Sequence, residues 1–143
     1  GETRELKTEA RHINDGMLRL LAILAQQFSP LETLLFDEIE NGINPEITEK
    51  VVDALVASPK QIIVTTHSPM VLNYMDDEVA KKAVTLIYKR DDGQTHAVPF
   101  FDVPSAAEKL ESLAPGDAML DVYLQDIAKE AEAQRQASSH EAD

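Results

Sequence analysis

Two short stretches hold the side chains best suited to chemistry. Leu34-Leu35-Phe36 runs directly into Asp37-Glu38, and Ile62-Ile63-Val64 runs through Thr65-Thr66 into His67. Neighbouring carboxylates at the end of an apolar run are costly unless a cation or a proton relieves them. Two acids and an imidazole brought together suit magnesium-dependent phosphoryl chemistry. One carboxylate holds a hydrated Mg²⁺, the other poises a water, and the imidazole hydrogen-bonds a phosphate oxygen. Asp37 alone reads equally well as a solvated turn residue, and a histidine before Ser-Pro as a helix-entry residue. The joint pattern carries the chemical reading.

For these residues to meet, the elements behind them must run side by side. Thr33 to Phe36 is short and continuously apolar, the pattern of a parallel strand buried on both faces. Asn44-Pro45 opens a helix, with asparagine as cap and proline at the first helical position. Its Ile47, Val51 and Leu55 recur every four residues on one face, and Ser58-Pro59 closes it. Gln61 to Thr66 is a second buried strand. Strand, helix and strand over this length predict a βαβ crossover, whose strands are parallel and carry their polar ends to one edge.

Around this unit, Gly16 to Phe28 is apolar on nearly every side and predicts a mostly buried helix capped by Asn14 or Asp15. Ser68-Pro69 starts another helix, running to about Met75. Val84 to Arg90 and Thr95 to Phe101 flank Asp91-Asp92-Gly93-Gln94, a hairpin signal. Ser105 and Glu108 form a capping box. A last helix from about Asp117 is expected to bury Leu120, Leu124, Ile127 and Ala131, with fraying beyond. The expected class is α/β, a βαβ parallel-sheet core with a β-hairpin and C-terminal helices. Residues 1–13 read as a polar lead-in, 14–131 as the domain body and 132–143 as an acidic, disordered tail.

Composition narrows the function. The 143 residues carry a net charge of −13, which opposes binding of a nucleic-acid backbone by this chain alone. Cysteine is absent, so disulfides and thiolate metal sites are excluded. No apolar run approaches a membrane span and no signal peptide is visible, so a cytoplasmic location is expected. His96 reads as a surface residue of the hairpin, and His12 and His140 lie in polar segments. Lys81, Lys82, Lys89 and Arg90 read as a solvated face, and the few aromatic residues lack the basic interleaving of a base-stacking platform.

Leu34 to Glu38 resembles a Walker B motif, and the flanking residues extend the likeness. Glu40-Asn41-Gly42-Ile43-Asn44-Pro45 resembles the D-loop of ABC-type ATPases, and Thr65-Thr66-His67-Ser68-Pro69 resembles their switch-histidine loop. Ile13-Asn14-Asp15-Gly16-Met17 resembles the signature motif at the head of its helix. Order and spacing agree over about residues 10–100. The chain resembles the C-terminal half of a head in the soluble, ABC-like branch of AAA-type ATPases, which includes DNA-repair heads, overcoming-lysogenization-defect proteins and anti-phage ATPases.

The resemblance implies that Asp37 helps hold Mg²⁺ through water, that Glu38 is the general base, and that His67 contacts the γ-phosphate. It implies that Asn14, Asp15 and Gly16 meet ATP held by the opposite head of a dimer, and that Asn44 links the two sites. Asn14 stands where the signature has serine, and Asn44 where the D-loop has aspartate or histidine; each also reads as a plain helix cap. The implied cofactors are ATP and Mg²⁺. The implied partners are an upstream lobe of the same protein and a second head, with DNA or a defence effector reached through other parts and no membrane.

No G-x-x-x-x-G-K-[ST] occurs, so the phosphate cradle of Walker A and its lysine are missing. Gly1 in place of methionine reads as a processing or cloning scar. The expectation is a half-head that binds ATP weakly and does not hydrolyse it by itself. Two other functions compete: a catalytically dead dimerisation or docking module, and a metal-dependent hydrolase or nuclease using Asp37, Glu38 and Glu40.

Overall fold

The computed structural model describes residues 15–90 and 92–140. It is mixed α/β and divides into two compact units, residues 1–67 and 68–143. Asn14, His12 and the start of the signature-like stretch lie outside the described residues.

The first unit contains α1 (Asp15–Gln26), β1 (Thr33–Phe36), α2 (Pro45–Val56) and β2 (Gln61–Val64). The strands pair in parallel, Thr33 with Gln61 through Phe36 with Val64, so the β1–α2–β2 unit has the expected connection. Asn44 caps α2 by accepting the Glu46 N–H at 2.9 Å, and Pro45 fills the first turn. Val51, Val52 and Leu55 bury the apolar stripe of α2, joined by Thr48.

Burial in this unit is one-sided, against expectation. Leu34 is buried, while Leu35 and its register partner Ile63 are 72% and 47% exposed. Neither strand is covered on both faces. The helix α1 also departs from the mostly buried reading: Ile23 is buried, but Met17, Leu18, Leu21 and Leu24 are exposed. The physical reason is cover: a face is buried only where another element lies on it, and the face carrying Leu35 and Ile63 and much of α1 have none.

The second unit contains a 3₁₀ turn (Pro69–Tyr74), α3 (Asp77–Ala83), the antiparallel strands β3 (Thr85–Lys89) and β4 (Thr95–Pro99), a 3₁₀ turn (Phe100–Asp102), α4 (Pro104–Leu110), α5 (Pro115–Leu120) and α6 (Leu124–His140). Its core gathers Ala80, Phe100, Phe101, Val103, Ala106, Leu110, Ala118, Ile127 and Ala131. The two phenylalanine rings meet edge to face at 4.9 Å. Gly93, at φ +84°, supplies the left-handed residue of the hairpin turn.

Several expectations for this unit are corrected. The helix expected after Ser68-Pro69 is present over Pro69–Tyr74, as a 3₁₀ turn. No capping box forms at Ser105, because Pro104 opens α4 with Val103 as its cap. The Ser105 hydroxyl instead donates to Glu130 of α6. The single last helix is two, α5 and α6, and Leu120 and Leu124 at the break are exposed while Ile127 and Ala131 are buried. The helix α6 runs from Leu124 to His140. His96 is half-buried rather than a surface residue: its ring stacks on Tyr88 at 6.0 Å and its Nδ1 meets the Arg135 guanidinium.

Candidate functional site

The rim is built where β1 and β2 end. Beyond the paired residues the ladder continues, Thr65 N–H donating to Phe36 O at 2.9 Å and Ile39 N–H to Thr65 O at 3.2 Å. Ile39 is fully buried and pins the chain just past the acid doublet. Between these bonds the Thr65 hydroxyl serves both acids. It donates to Asp37 Oδ1 and accepts the Glu38 backbone N–H at 3.0 Å.

Glu38 sits at φ +48°, the one non-glycine residue in the left-handed region among those described. A side chain there costs of order 1 kcal/mol, and such strain persists only where the surroundings enforce it. Here Thr65 and Arg19 enforce it. The Arg19 guanidinium reaches from α1 to donate to the carbonyl of Asp37 and, at 2.8 Å, to that of Glu38.

This turn sends the Glu38 carboxylate toward the end of β2. Its Oε1 lies 3.7 Å from His67 Nδ1, and its Oε2 accepts from the Asn41 amide at 3.2 Å. Glu40 converges from the same loop, with Oε1 3.5 Å from His67 Nδ1. Asp37, Glu38 and His67 therefore share one edge of the parallel sheet. Along β1, residues Leu31 and Thr33 to Glu38 together with Arg19, Ile23 and Gln26 of α1 line an open cleft of about 540 Å³.

The other sequence-derived candidates are placed as follows. Gly16 opens the first turn of α1 against Gly42 of the Glu40–Pro45 loop: a Cβ on Gly42 would meet Gly16 Cα at 3.7 Å. Gly42 itself has φ +72°. Asp15 is the first residue of α1. Asn44 has a full structural role as the α2 cap. Arg19, Thr65 and Asn41 were not singled out by sequence. Arg19 had one signal, a lone cation inside an apolar helix. Thr65 and Asn41 stand in the two loops that carry the resemblance, but nothing local announces their side-chain partners, which lie around the turn at Glu38.

The rim offers hard oxygen in the Asp37 and Glu38 carboxylates, with the Thr65 hydroxyl committed to Asp37 and to the Glu38 N–H. Such a set fits Mg²⁺, which keeps several waters and takes other ligands from phosphate oxygens. Among the described residues no group of three or more His, Asp or Glu side chains is arranged to hold a metal ion by itself.

A family model described as "AAA domain, putative AbiEii toxin, Type IV TA system" matches residues 2–73, half of the chain. The chain belongs to this family of AAA-type ATPase domains. No curated protein sequence matches it. Among solved structures, one from work on the ATP-driven dimerization and DNA stimulated activation of SMC ATPases is similar, with 22% identity and a TM-score of 0.48. That similarity covers 62% of this chain and 54% of the other, so the chain spans about half the length of that neighbour. Among the described residues no helix is long and apolar enough to cross a membrane.

Proposed function

We propose that this chain supplies the hydrolytic half of an ATPase head, acting on ATP whose phosphates are cradled by a separate Walker A lobe. The observation that carries the reading is the convergence of Glu38 on His67 beside a threonine-anchored Asp37. A bound Mg²⁺, held at Asp37 through water, would neutralise charge developing on the phosphates. Glu38 orients and deprotonates the attacking water, and its strained backbone fixes the carboxylate on the side of His67. His67 contacts the γ-phosphate.

The signature-like residues Asn14, Asp15 and Gly16 meet ATP on a second head, because the first turn of a helix presents free N–H groups to a phosphate. Asn44 links the two sites through the loop in which a Cβ on Gly42 would reach Gly16. ATP thus joins two heads and hydrolysis releases them. DNA or a defence effector is acted on through other parts, and the toxin named in the family's description supports the second.

The test is Glu38→Gln in the full-length protein that contains this segment. Nucleotide-dependent dimers persist in light scattering while turnover falls by at least about 100-fold, the loss expected for a general base. Unchanged turnover would remove Glu38 from that role. Absence of any nucleotide binding by that protein would favour a docking module.

A further inference from the structure

We propose that Glu40 is a positioning residue that sets which nitrogen of His67 carries the proton. The proposal rests on the ATPase reading for what His67 does, and on geometry alone for how His67 is held. The Glu40 side chain is only 17% exposed, against 49% for Glu38 and 73% for His67. Its Oε1 accepts the His67 backbone N–H at 3.3 Å and stands 3.5 Å from Nδ1 of the same residue. One oxygen therefore addresses both the backbone and the ring. The other oxygen, Oε2, is buried without a hydrogen-bond partner among the described residues, so the contacts of this carboxylate run through Oε1.

A fixed negative oxygen beside Nδ1 favours the proton on that nitrogen, since the tautomer of a neutral imidazole follows its partners. Glu38 Oε1, at 3.7 Å from Nδ1, acts in the same sense. Nε2 is then the nitrogen that meets substrate. Sequence spacing conceals this link: Glu40 and His67 are 27 residues apart, and only the parallel pairing of β1 and β2 brings them together.

The experiment uses the chain labelled with ¹⁵N-histidine at alkaline pH, where the ring is neutral. Long-range ¹H–¹⁵N correlations report the tautomer of His67, assigned through His67→Gln. The wild-type chain shows Nδ1–H as the main form; mainly Nε2–H overturns the proposal without need of any variant. Glu40→Ala, which leaves only the more distant Glu38 beside Nδ1, shifts the population toward Nε2–H and lowers hydrogen-exchange protection of the His67 amide about tenfold, the loss of one hydrogen bond to a charged group. Glu40→Gln, which keeps an acceptor, restores that protection. A tautomer unmoved by Glu40→Ala, with the amide deprotected, leaves Glu40 as a loop brace and overturns the proposal. The ATPase reading fails separately: Nδ1–H in the chain with no nucleotide turnover in the full-length protein sinks that reading and leaves the Glu40–His67 pairing standing.

Discussion

The Thr65 hydroxyl donates to Asp37 Oδ1 while accepting the Glu38 backbone N–H, so one side chain on the extension of β2 anchors both acids at the end of β1. The two residues are 28 positions apart. Thr65→Val keeps the β-branched shape and removes both bonds. It should lower stability by about 1 kcal/mol, because water reaches the freed groups at this exposed rim. Urea denaturation followed on β2 amides measures it, and Thr65→Ser should recover most of the loss. No change in Thr65→Val would show that the hydroxyl does not anchor the doublet.

The chain has no phosphate-cradling lysine loop. With Mg²⁺-ATP it should show a Kd of about 1 mM or weaker and no turnover above background. Calorimetry and phosphate release check this, and robust hydrolysis by the pure chain would refute the division of labour between lobes.

Glu38 occupies the left-handed region at φ +48°. Glu38→Gly should raise the melting temperature, with a gain of up to about 1 kcal/mol from relieved strain. The same change should abolish hydrolysis in the full-length protein. A destabilised Glu38→Gly would mean that the Asn41 contact outweighs the strain.

In the second unit, Gly116 is buried at the start of α5, and the Asn73 side chain accepts its N–H at 2.6 Å and that of Asp117 at 3.3 Å. A Cβ on Gly116 would clash with the Pro69 carbonyl and stand 2.7 Å from Asn73 Oδ1. Gly116→Ala should cost about 3 kcal/mol through overpacking and loss of this cap. Circular-dichroism melts test it, and a wild-type melting curve would exclude the close approach.

Burial, reinforced by the Glu132 carboxylate that its hydroxyl meets at 2.8 Å, holds the Tyr88 phenol above its ordinary pKa of 10.0. The Lys109 ammonium is likewise raised above 10.5 by Asp121, its partner at 2.6 Å. Both groups bind protons more tightly when folded. Their stabilisation is complete below the unfolded values and is lost as pH rises through the folded ones. Stability of the second unit should therefore decline above about pH 10. Tyr88→Phe should flatten that decline, measured by urea midpoints against pH; an unchanged slope would remove Tyr88 as a contributor.

The sequence by itself determined the β1–α2–β2 unit, the hairpin, and the placing of Asp37, Glu38 and His67 at strand ends. These follow from local signals: short apolar runs, Asn-Pro and Ser-Pro punctuation, and a glycine at a turn. What only the tertiary structure decided is how the rim is held. Arg19, Thr65, Glu40 and Asn41 find partners around the end of β1 through the strand pairing and the left-handed turn at Glu38, and no periodicity announces either. Burial was also beyond local reading. Leu35 and Ile63 have the composition of a doubly covered strand, yet a face is buried only if another element lies on it. Ser105 likewise had a capping pattern, but Pro104 took the first turn and freed its hydroxyl for Glu130. Local patterns set which conformations a segment favours; partners distant in sequence decide which polar groups are satisfied and which apolar faces stay open.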